Sequence, residues 1–214
     1  MGMINLYTIP IWETEYPEFE RDKESFSKGV EEYFLESERN KETHKIYNST
    51  INGKTTHRAL HSHHALTPLF QFACEYAMMT ADHMKFKPRD VFIVSSWADI
   101  NDTREAMNAQ HIQSETLSGV FYLKVPPKSG KLCLVNPGIN PMWIGQDLVD
   151  EKTALTASTV KIEPIEGQMY FYPSYLPHWV EPNQHDDTRI SIAFTIAMVA
   201  HDGSGSDVHG WRNN

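Results

Sequence analysis

The segment RISIAFTIAMV at positions 189–199 carries the clearest structural signal in this chain. Every second residue from position 190 to position 198 is isoleucine, phenylalanine or methionine, and the residues between them are serine, threonine or alanine. Side chains of a β-strand alternate between its two faces, so this period of two is typical of a half-buried strand. We therefore predict a strand at 189–199 with one apolar face and one polar face that begins with Arg189.

Four further stretches are predicted to be short strands. They are rich in β-branched and aromatic residues, and they end at turn-forming sequences such as Pro126-Pro127 and Asn136-Pro137-Gly138. The predicted strands cover residues 91–97, 117–125, 131–135 and 168–172.

Two helices are predicted ahead of these strands. Residues 22–37 repeat apolar side chains at helical spacing. A second helix is predicted to begin at Thr67-Pro68, with the threonine hydroxyl as its cap, and to end before Lys87-Pro88. Helices followed by many short strands favour helices packed on an antiparallel sandwich or barrel.

The domain organisation follows from this order. We predict one domain over residues 1–200, with a helical part at about 20–85 and a barrel at about 88–200. The polar segment 38–54 is predicted to be a surface loop, and the Gly/Ser-rich tail 201–214 to be mobile.

Composition excludes several classes of function. The 214 residues carry 19 Lys+Arg and 28 Asp+Glu, a net charge of −9 that works against binding nucleic-acid phosphates or anionic lipid. No apolar run is long enough to cross a membrane, and the first residues do not resemble a signal peptide. Two cysteines, Cys74 and Cys133, exclude a disulfide scaffold. We therefore expect a cytoplasmic protein.

The first candidate for chemistry is His111-Ile112-Gln113. Residues 111 and 113 of a strand lie on the same face, so both side chains could reach one metal ion. A single His-x-Gln is a weak signal, because a histidine in a strand is more often a surface or core residue. The tract His61-Ser62-His63-His64 could also bind a metal, although such a run is more often a polar loop.

The second candidate combines His178, which follows a proline-marked turn, with Arg189 and Ser191. An arginine inside a barrel is strongly disfavoured unless it meets an anion. A guanidinium binds a carboxylate in a bidentate manner, and a neighbouring hydroxyl supplies one more hydrogen bond. The alternative is that Arg189 begins its strand at the surface, and the sequence alone leaves both readings open.

The two candidates belong to a longer series of short motifs. In chain order these are His111-x-Gln113, LSGVFYL at 117–123, Gly130-Lys131-Leu132, Tyr172-Pro173, Leu176-Pro177-His178-x-Val180 and Arg189-x-Ser191. The ordered series resembles the Fe(II)/2-oxoglutarate-dependent oxygenases, most closely a small branch found in bacteria and phages. The resemblance covers about half of the chain, from about residue 91 to residue 199.

The resemblance implies a mainly β fold, a double-stranded β-helix (a jelly-roll, cupin-like barrel) buttressed by N-terminal α-helices. It implies an Fe(II) ion held by two histidines and a carboxylate, with 2-oxoglutarate as cosubstrate. Carried over, His111 and His178 are metal ligands, and Arg189 with Ser191 binds the C5 carboxylate of 2-oxoglutarate. Tyr122 falls where relatives place a tyrosine that meets the same carboxylate. Trp97 and Asn136 would line the pocket.

One position departs from the family pattern. The carboxylate ligand should stand at position 113, where this sequence has Gln113. Three arrangements are open: Gln113 is a ligand through its amide oxygen, a water takes its place, or Glu115 or Asp99 supplies the carboxylate. A neutral third ligand would leave the iron–oxoglutarate complex one unit more positive, and we expect weaker metal binding than is usual for the family.

The sequence is compatible with three functions. The expected one is a dioxygenase that uses Fe(II), 2-oxoglutarate and O₂ to hydroxylate a substrate the sequence does not identify, with 2-oxoglutarate converted to succinate. The alternatives are a cupin-type metal-binding protein without 2-oxoglutarate, and a non-catalytic jelly-roll binding protein that has lost the carboxylate ligand. Many barrels of this type dimerise, so a homodimer is among the expected states, whereas nucleic-acid and membrane partners are not expected.

Overall fold

The computed structural model of the protein describes residues 8–39, 54–102, 107–138 and 157–200. Within these ranges the chain forms two α-helices and ten strands. The predicted mobile tail 201–214 lies outside the described residues, as does most of the predicted loop 38–54.

The two predicted helices are present. The first is longer than predicted at both ends, and the second ends before Lys87-Pro88 as predicted. Helix α1 spans Phe19–Arg39 and helix α2 spans Thr67–His83. The prediction that Thr67 caps α2 was wrong. Thr67 has helical dihedral angles and is the first residue of α2, whereas Leu66 occupies the cap position without a side-chain hydrogen bond. Pro68 in the first turn is compatible with this start, since the first turn has no backbone partner for the missing N–H.

The strands confirm the predicted β-rich second half and extend it. The five predicted strands correspond to β3, β5, β6, β8 and β10, and β1, β2, β4, β7 and β9 were not predicted. Their bounds are β1 Trp12–Glu15, β2 Lys54–Thr55, β3 Pro88–Asn101, β4 Met107–His111, β5 Leu117–Lys124, β6 Leu132–Val135, β7 Thr159–Ile162, β8 Gln168–Pro173, β9 His178–Val180 and β10 Arg189–Ala200.

The strands form two antiparallel sheets. The larger sheet has the order β1-β8-β5-β10-β3-β2, and the smaller sheet has the order β4-β9-β6-β7. The longest strand, β10, lies between β5 and β3. This is the double-stranded β-helix that the resemblance implied.

The larger sheet buries both of its faces, in two separate apolar clusters. One face packs against the helices, and its core includes Phe26 of α1, Phe70 of α2 and the predicted apolar residues of β10, Ile192, Phe194 and Ile196. The other face meets the smaller sheet in a second cluster. That cluster contains Val120, Tyr122, Leu132, Leu134, Tyr170, Tyr172 and Leu176. The polar residues of β10 therefore face the space between the two sheets, which is the barrel interior.

Of the helices that the structure describes, neither α1 nor α2 is long and apolar enough to cross a membrane.

Gly119 makes room for a phenylalanine in the helix-side core. Gly119 of β5 is the Cα partner of Phe194 on β10. A Cβ atom at Gly119 would lie 2.2 Å from Cε2 and 2.4 Å from Cζ of the Phe194 ring. That ring is itself held edge-to-face by Phe70 and Phe171. The position thus requires glycine for packing.

We expect Gly119→Ala to lower the free energy of unfolding by about 1–3 kcal/mol, the usual effect of overpacking a core. Urea denaturation measures the change. Phe194→Leu in the same chain should recover part of the loss, because the shorter side chain vacates the space. Losses that simply add in the double variant would contradict this explanation.

Candidate active site

Three neighbouring strands place polar residues in one row across the barrel interior. Ser191 of β10 is the Cα partner of Tyr122 on β5 and of Asp99 on β3. Two residues earlier on β10, Arg189 is the Cα partner of Asn101. Residues directly opposite one another in antiparallel strands lie on the same face. The register thus brings the predicted residues Arg189, Ser191 and Tyr122 together on the inner face of the larger sheet.

Arg189 lies inside the barrel and not at the surface, with 2% of its area exposed. Its Nη1 donates to the backbone carbonyl of Ser129 at 2.6 Å, with longer contacts to the carbonyls of Gly130 and Glu181. Its Nη2 donates to Oδ1 of Asn101 at 2.7 Å. These acceptors are all neutral. The structure therefore favours the interior alternative of the two that the sequence left open.

Several hydrogen-bond donors around Arg189 have no acceptor among the described residues. They are Nε of Arg189 itself, Nδ2 of Asn101 and Oγ of Ser129, and all three atoms are buried. Buried polar atoms in native proteins are normally paired. A buried cation surrounded by unpaired donors is suited to an anion that accepts hydrogen bonds.

Burial also controls the ionisation of this region. It lowers the pKa of the Arg189 guanidinium from its ordinary value, and the neighbouring Tyr122 and Asp99 act in the opposite direction. Burial raises the pKa of both Tyr122 and Tyr172 well above that of an exposed phenol. Both tyrosines therefore keep their O–H at neutral pH.

His178 is buried, and one of its ring nitrogens has a defined role. Nδ1 lies 3.0 Å from the backbone carbonyl of Leu176. A carbonyl only accepts hydrogen bonds, so Nδ1 carries the proton and the lone pair of the neutral ring is on Nε2. The ring packs edge-to-face on Tyr172 with 5.0 Å between the centroids. A hydrogen bond that fixes the tautomer in this way is typical of metal-ligating histidines.

The register of the smaller sheet brings His111 next to His178. The two residues are Cα partners in the antiparallel pair of β4 and β9. The side chain of His111 lies outside the described part of the structure, so its role as a ligand stays a prediction. Gln113 follows the end of β4 and is half-buried, and its backbone N–H donates to the carbonyl of Ser174 at 2.9 Å.

The two acidic residues considered in place of Gln113 lie in different environments. Asp99 is buried in the barrel, where its Oδ2 accepts a 3.0 Å hydrogen bond from the indole N–H of Trp97. Glu115 is half-buried, and its Oε2 has no partner among the described residues. No group of three or more His, Cys, Asp and Glu side chains is placed to hold a metal within the ranges that the structure describes.

The remaining sequence candidates are accounted for by local contacts. The ring of His61 is 2.8 Å from Oγ of Ser96, and Nε2 of His63 is 3.6 Å from a carboxylate oxygen of Glu32. Cys133 is buried, as expected for a small core residue. Asn136, which was expected to line the pocket, accepts a hydrogen bond from the backbone of Gly138.

Sequence reasoning missed Asn101, the amide that binds Arg189. A signal was present, because Trp97, Asp99 and Asn101 alternate along one strand in the same way as Arg189 and Ser191 do on β10. The prediction ended this strand at residue 97, four residues before its actual end at Asn101.

Comparison with known proteins points to one kind of barrel. The model of a family described as "Putative 2OG-Fe(II) oxygenase" matches residues 95–195. No curated protein sequence matches the chain.

Three solved structures illustrate the shared fold. A prolyl-4-hydroxylase from Pseudomonas putida is similar with 13% identity and a TM-score of 0.57, covering 89% of this chain and 94% of that chain. HygX from Streptomyces hygroscopicus, solved with nickel, 2-oxoglutarate and hygromycin B, has 10% identity and a TM-score of 0.58, covering 89% and 84%. The 2-oxoglutarate complex of the viral collagen prolyl hydroxylase of Paramecium bursaria Chlorella virus-1 has 10% identity and a TM-score of 0.55, covering 88% and 96%.

The two antiparallel sheets and the polar inner face define a double-stranded β-helix. The family match over 95–195 begins within β3 and ends within β10. The barrel of this chain is therefore similar to those of the 2OG-Fe(II) oxygenases.

The backbone at Gly130 determines where the carbonyls that bind Arg189 lie. Gly130 has a φ of +81°, and a Cβ atom there would lie 2.3 Å from the carbonyl oxygen of Glu181 and 2.6 Å from that of Pro182. Glycine adopts positive φ without steric penalty, and other residues do not. The turn that supplies the carbonyls of Ser129 and Gly130 thus depends on this glycine.

We expect Gly130→Ala to destabilise the fold by about 1–3 kcal/mol, because both the strained φ and the backbone contact oppose a methyl group. The midpoint of urea denaturation measures this loss. Gly138→Ala is the matched control, since the nearest atom to its Cβ would be 3.5 Å away. Equal midpoints for the two variants would contradict the role given to Gly130.

Proposed function

We propose that this protein is a dioxygenase that couples oxidative decarboxylation of 2-oxoglutarate to hydroxylation of a substrate C–H bond. In that reaction O₂, 2-oxoglutarate and R–H yield R–OH, succinate and CO₂. The observation that carries the proposal is Arg189, a buried guanidinium. Among the described residues its hydrogen-bond acceptors are all neutral, and the donors around it are unpaired.

The residues present fit a dicarboxylate cosubstrate. A carboxylate accepts hydrogen bonds and neutralises a buried cation, so it would satisfy Nε of Arg189 together with the amide of Asn101. Ser191 and Tyr122 are cross-strand partners beside Arg189, and both carry hydroxyl donors. In the proposed function these residues bind and orient the C5 carboxylate.

The residues also fit a divalent metal at the other end of the cosubstrate. His178 and His111 would be its imidazole ligands, and Gln113 or a water molecule would take the third place. Histidine and oxygen donors with open positions are the ligand set of non-heme Fe(II) oxygenases. A bound Fe(II) would supply the activation of O₂. The hydrogen bond from His178 to the Leu176 carbonyl would keep the imidazole in the ligating tautomer.

The barrel wall contributes by excluding water. Tyr122 and Tyr172 are buried with Val120, Leu134 and Leu176 in the cluster between the sheets. An apolar wall around a reactive centre limits access of solvent and strengthens the electrostatic contacts inside.

We expect anaerobic titration of the Fe(II)-loaded protein with 2-oxoglutarate to produce a metal-to-ligand charge-transfer band in visible absorption. Arg189→Ala should weaken cosubstrate binding by about 10²-fold or more, because truncation removes a buried charged partner. Arg189→Lys keeps the charge and loses the bidentate geometry. Its affinity for 2-oxoglutarate should lie between those of the unmodified protein and Arg189→Ala. Arg89→Ala, which changes an exposed arginine on β3, is the control.

The outcomes separate the three functions considered. Iron binding without a band would favour a cupin-type metal protein. Failure to bind iron would favour a non-catalytic barrel.

We expect Gln113→Asp to tighten divalent-metal binding by about tenfold, because a carboxylate is a better ligand than an amide for a hard cation. Calorimetric titration with Co(II) measures the affinity. Gln184→Asp adds the same charge at an exposed position and serves as the control. Unchanged affinity in Gln113→Asp would mean that residue 113 does not approach the metal.

A further inference from the structure

Two charged residues, apart from histidine, are buried in the described part of the chain. They are Asp99, which is 8% exposed, and Arg189, which is 2% exposed. Both lie on the inner face of the larger sheet, on the adjacent strands β3 and β10. Asp99 is opposite Ser191, whereas Arg189 is opposite Asn101, so the two charges occupy neighbouring rows of the same face. Opposite charges on one buried face attract each other more than they would at the surface, because the interior screens them less than water does.

The carboxylate of Asp99 is oriented by its surroundings. Its Oδ2 accepts the hydrogen bond from Nε1 of Trp97. The guanidinium of Arg58 lies over the ring of the same indole, 4.3 Å from the ring centroid. A cation over the ring face and an anion at the indole N–H both stabilise this arrangement. Asp99 is thus held in place on the inner face by a neighbouring side chain.

The charge of Asp99 reaches the residues that surround the candidate site. It acts to raise the pKa of Arg189 and adds to the effect of burial in raising the pKa of Tyr172. Tyr172 is in ring contact with His178. Asp99 also shares its row with Ser191 and Tyr122, the two hydroxyl residues proposed to bind the C5 carboxylate.

We propose that Asp99 is a built-in counter-ion of Arg189 that weakens the binding of dicarboxylates and so sets the affinity for the cosubstrate. This inference rests on the proposed function. When the site holds no cosubstrate, Asp99 compensates part of the buried positive charge. When a dicarboxylate binds, Asp99 becomes a like charge beside it and opposes its binding. Asp99 is therefore a positioning and specificity residue, and its effect should be largest on ligands with a distal carboxylate.

The test is isothermal titration calorimetry of the 214-residue chain at saturating Mn(II), with 2-oxoglutarate as the ligand. Asp99→Asn, which has the same shape without the charge, should bind 2-oxoglutarate about tenfold more tightly than the unmodified chain. Asp99→Glu keeps the charge and should remain within about twofold of the unmodified chain. Asp99→Ser is a second neutral variant, and thermal unfolding of each variant confirms that it is folded.

A second ligand isolates the distal carboxylate. 2-Oxobutyrate keeps the 2-oxo acid group and lacks the C5 carboxylate, so Asp99→Asn should change its affinity much less than that of 2-oxoglutarate. Asp186→Asn removes a charge from an exposed residue and is the matched control. A buried charge is poorly screened, so the gain for 2-oxoglutarate should persist at high salt.

Each other outcome overturns the inference in a recognisable way. Equal or weaker 2-oxoglutarate binding by Asp99→Asn, with normal Mn(II) binding, would refute the role of Asp99 and leave the proposed function intact. Loss of Mn(II) binding in Asp99→Asn would make Asp99 a metal ligand. If the unmodified protein binds Mn(II) and no 2-oxoglutarate, the proposed function fails and the inference fails with it.

Discussion

The barrel interior depends on the accommodation of one buried positive charge. A cation placed in a protein interior without partners is strongly disfavoured, and Arg189 is stabilised by groups from three separate parts of the chain. The turn at residues 128–130 provides backbone carbonyls, the segment after β9 provides another, and Asn101 on β3 provides an amide oxygen. The turn, the β3–β10 register and the approach of the smaller sheet must therefore all be correct for Arg189 to be buried.

The two faces of β10 have different roles, which explains how the fold tolerates a barrel interior with charged and polar side chains. The isoleucine and phenylalanine face joins a large apolar cluster with α1 and α2. Burial of apolar surface is the dominant favourable contribution to folding, and most of it is supplied on that side of the sheet. The inner face is thereby able to carry arginine, aspartate, serine and tyrosine side chains without being the main source of stability. The helices support the site although they do not contribute residues to it.

The sequence predicted the long elements well and the short ones poorly, for physical reasons. The period-two pattern of residues 189–199 is strong because one face of β10 is wholly apolar, and the structure confirms it. Strands β2 and β9 have two and three residues, and such short segments contain no pattern because only their pairing partners define them. Arg189 illustrates the same limit within the site. The sequence indicated Arg189 as a candidate anion-binding residue. Its burial could not be predicted, because it depends on Asn101 and on a turn some sixty residues away in sequence.

The neutral residue at position 113 changes how charge is balanced in the proposed site. A dication bound by two imidazoles and an amide keeps its full charge of about +2, since none of these ligands is ionised. A dianionic cosubstrate then becomes the main compensating charge. Binding of the metal and binding of the cosubstrate would each supply the charge that the other lacks, and the coupling between two such ligands is reciprocal. Asp99 limits this coupling from within the barrel, because its charge already compensates part of the positive charge before the cosubstrate binds. The affinity of the site would thus be set by the balance between one fixed carboxylate and one exchangeable dicarboxylate.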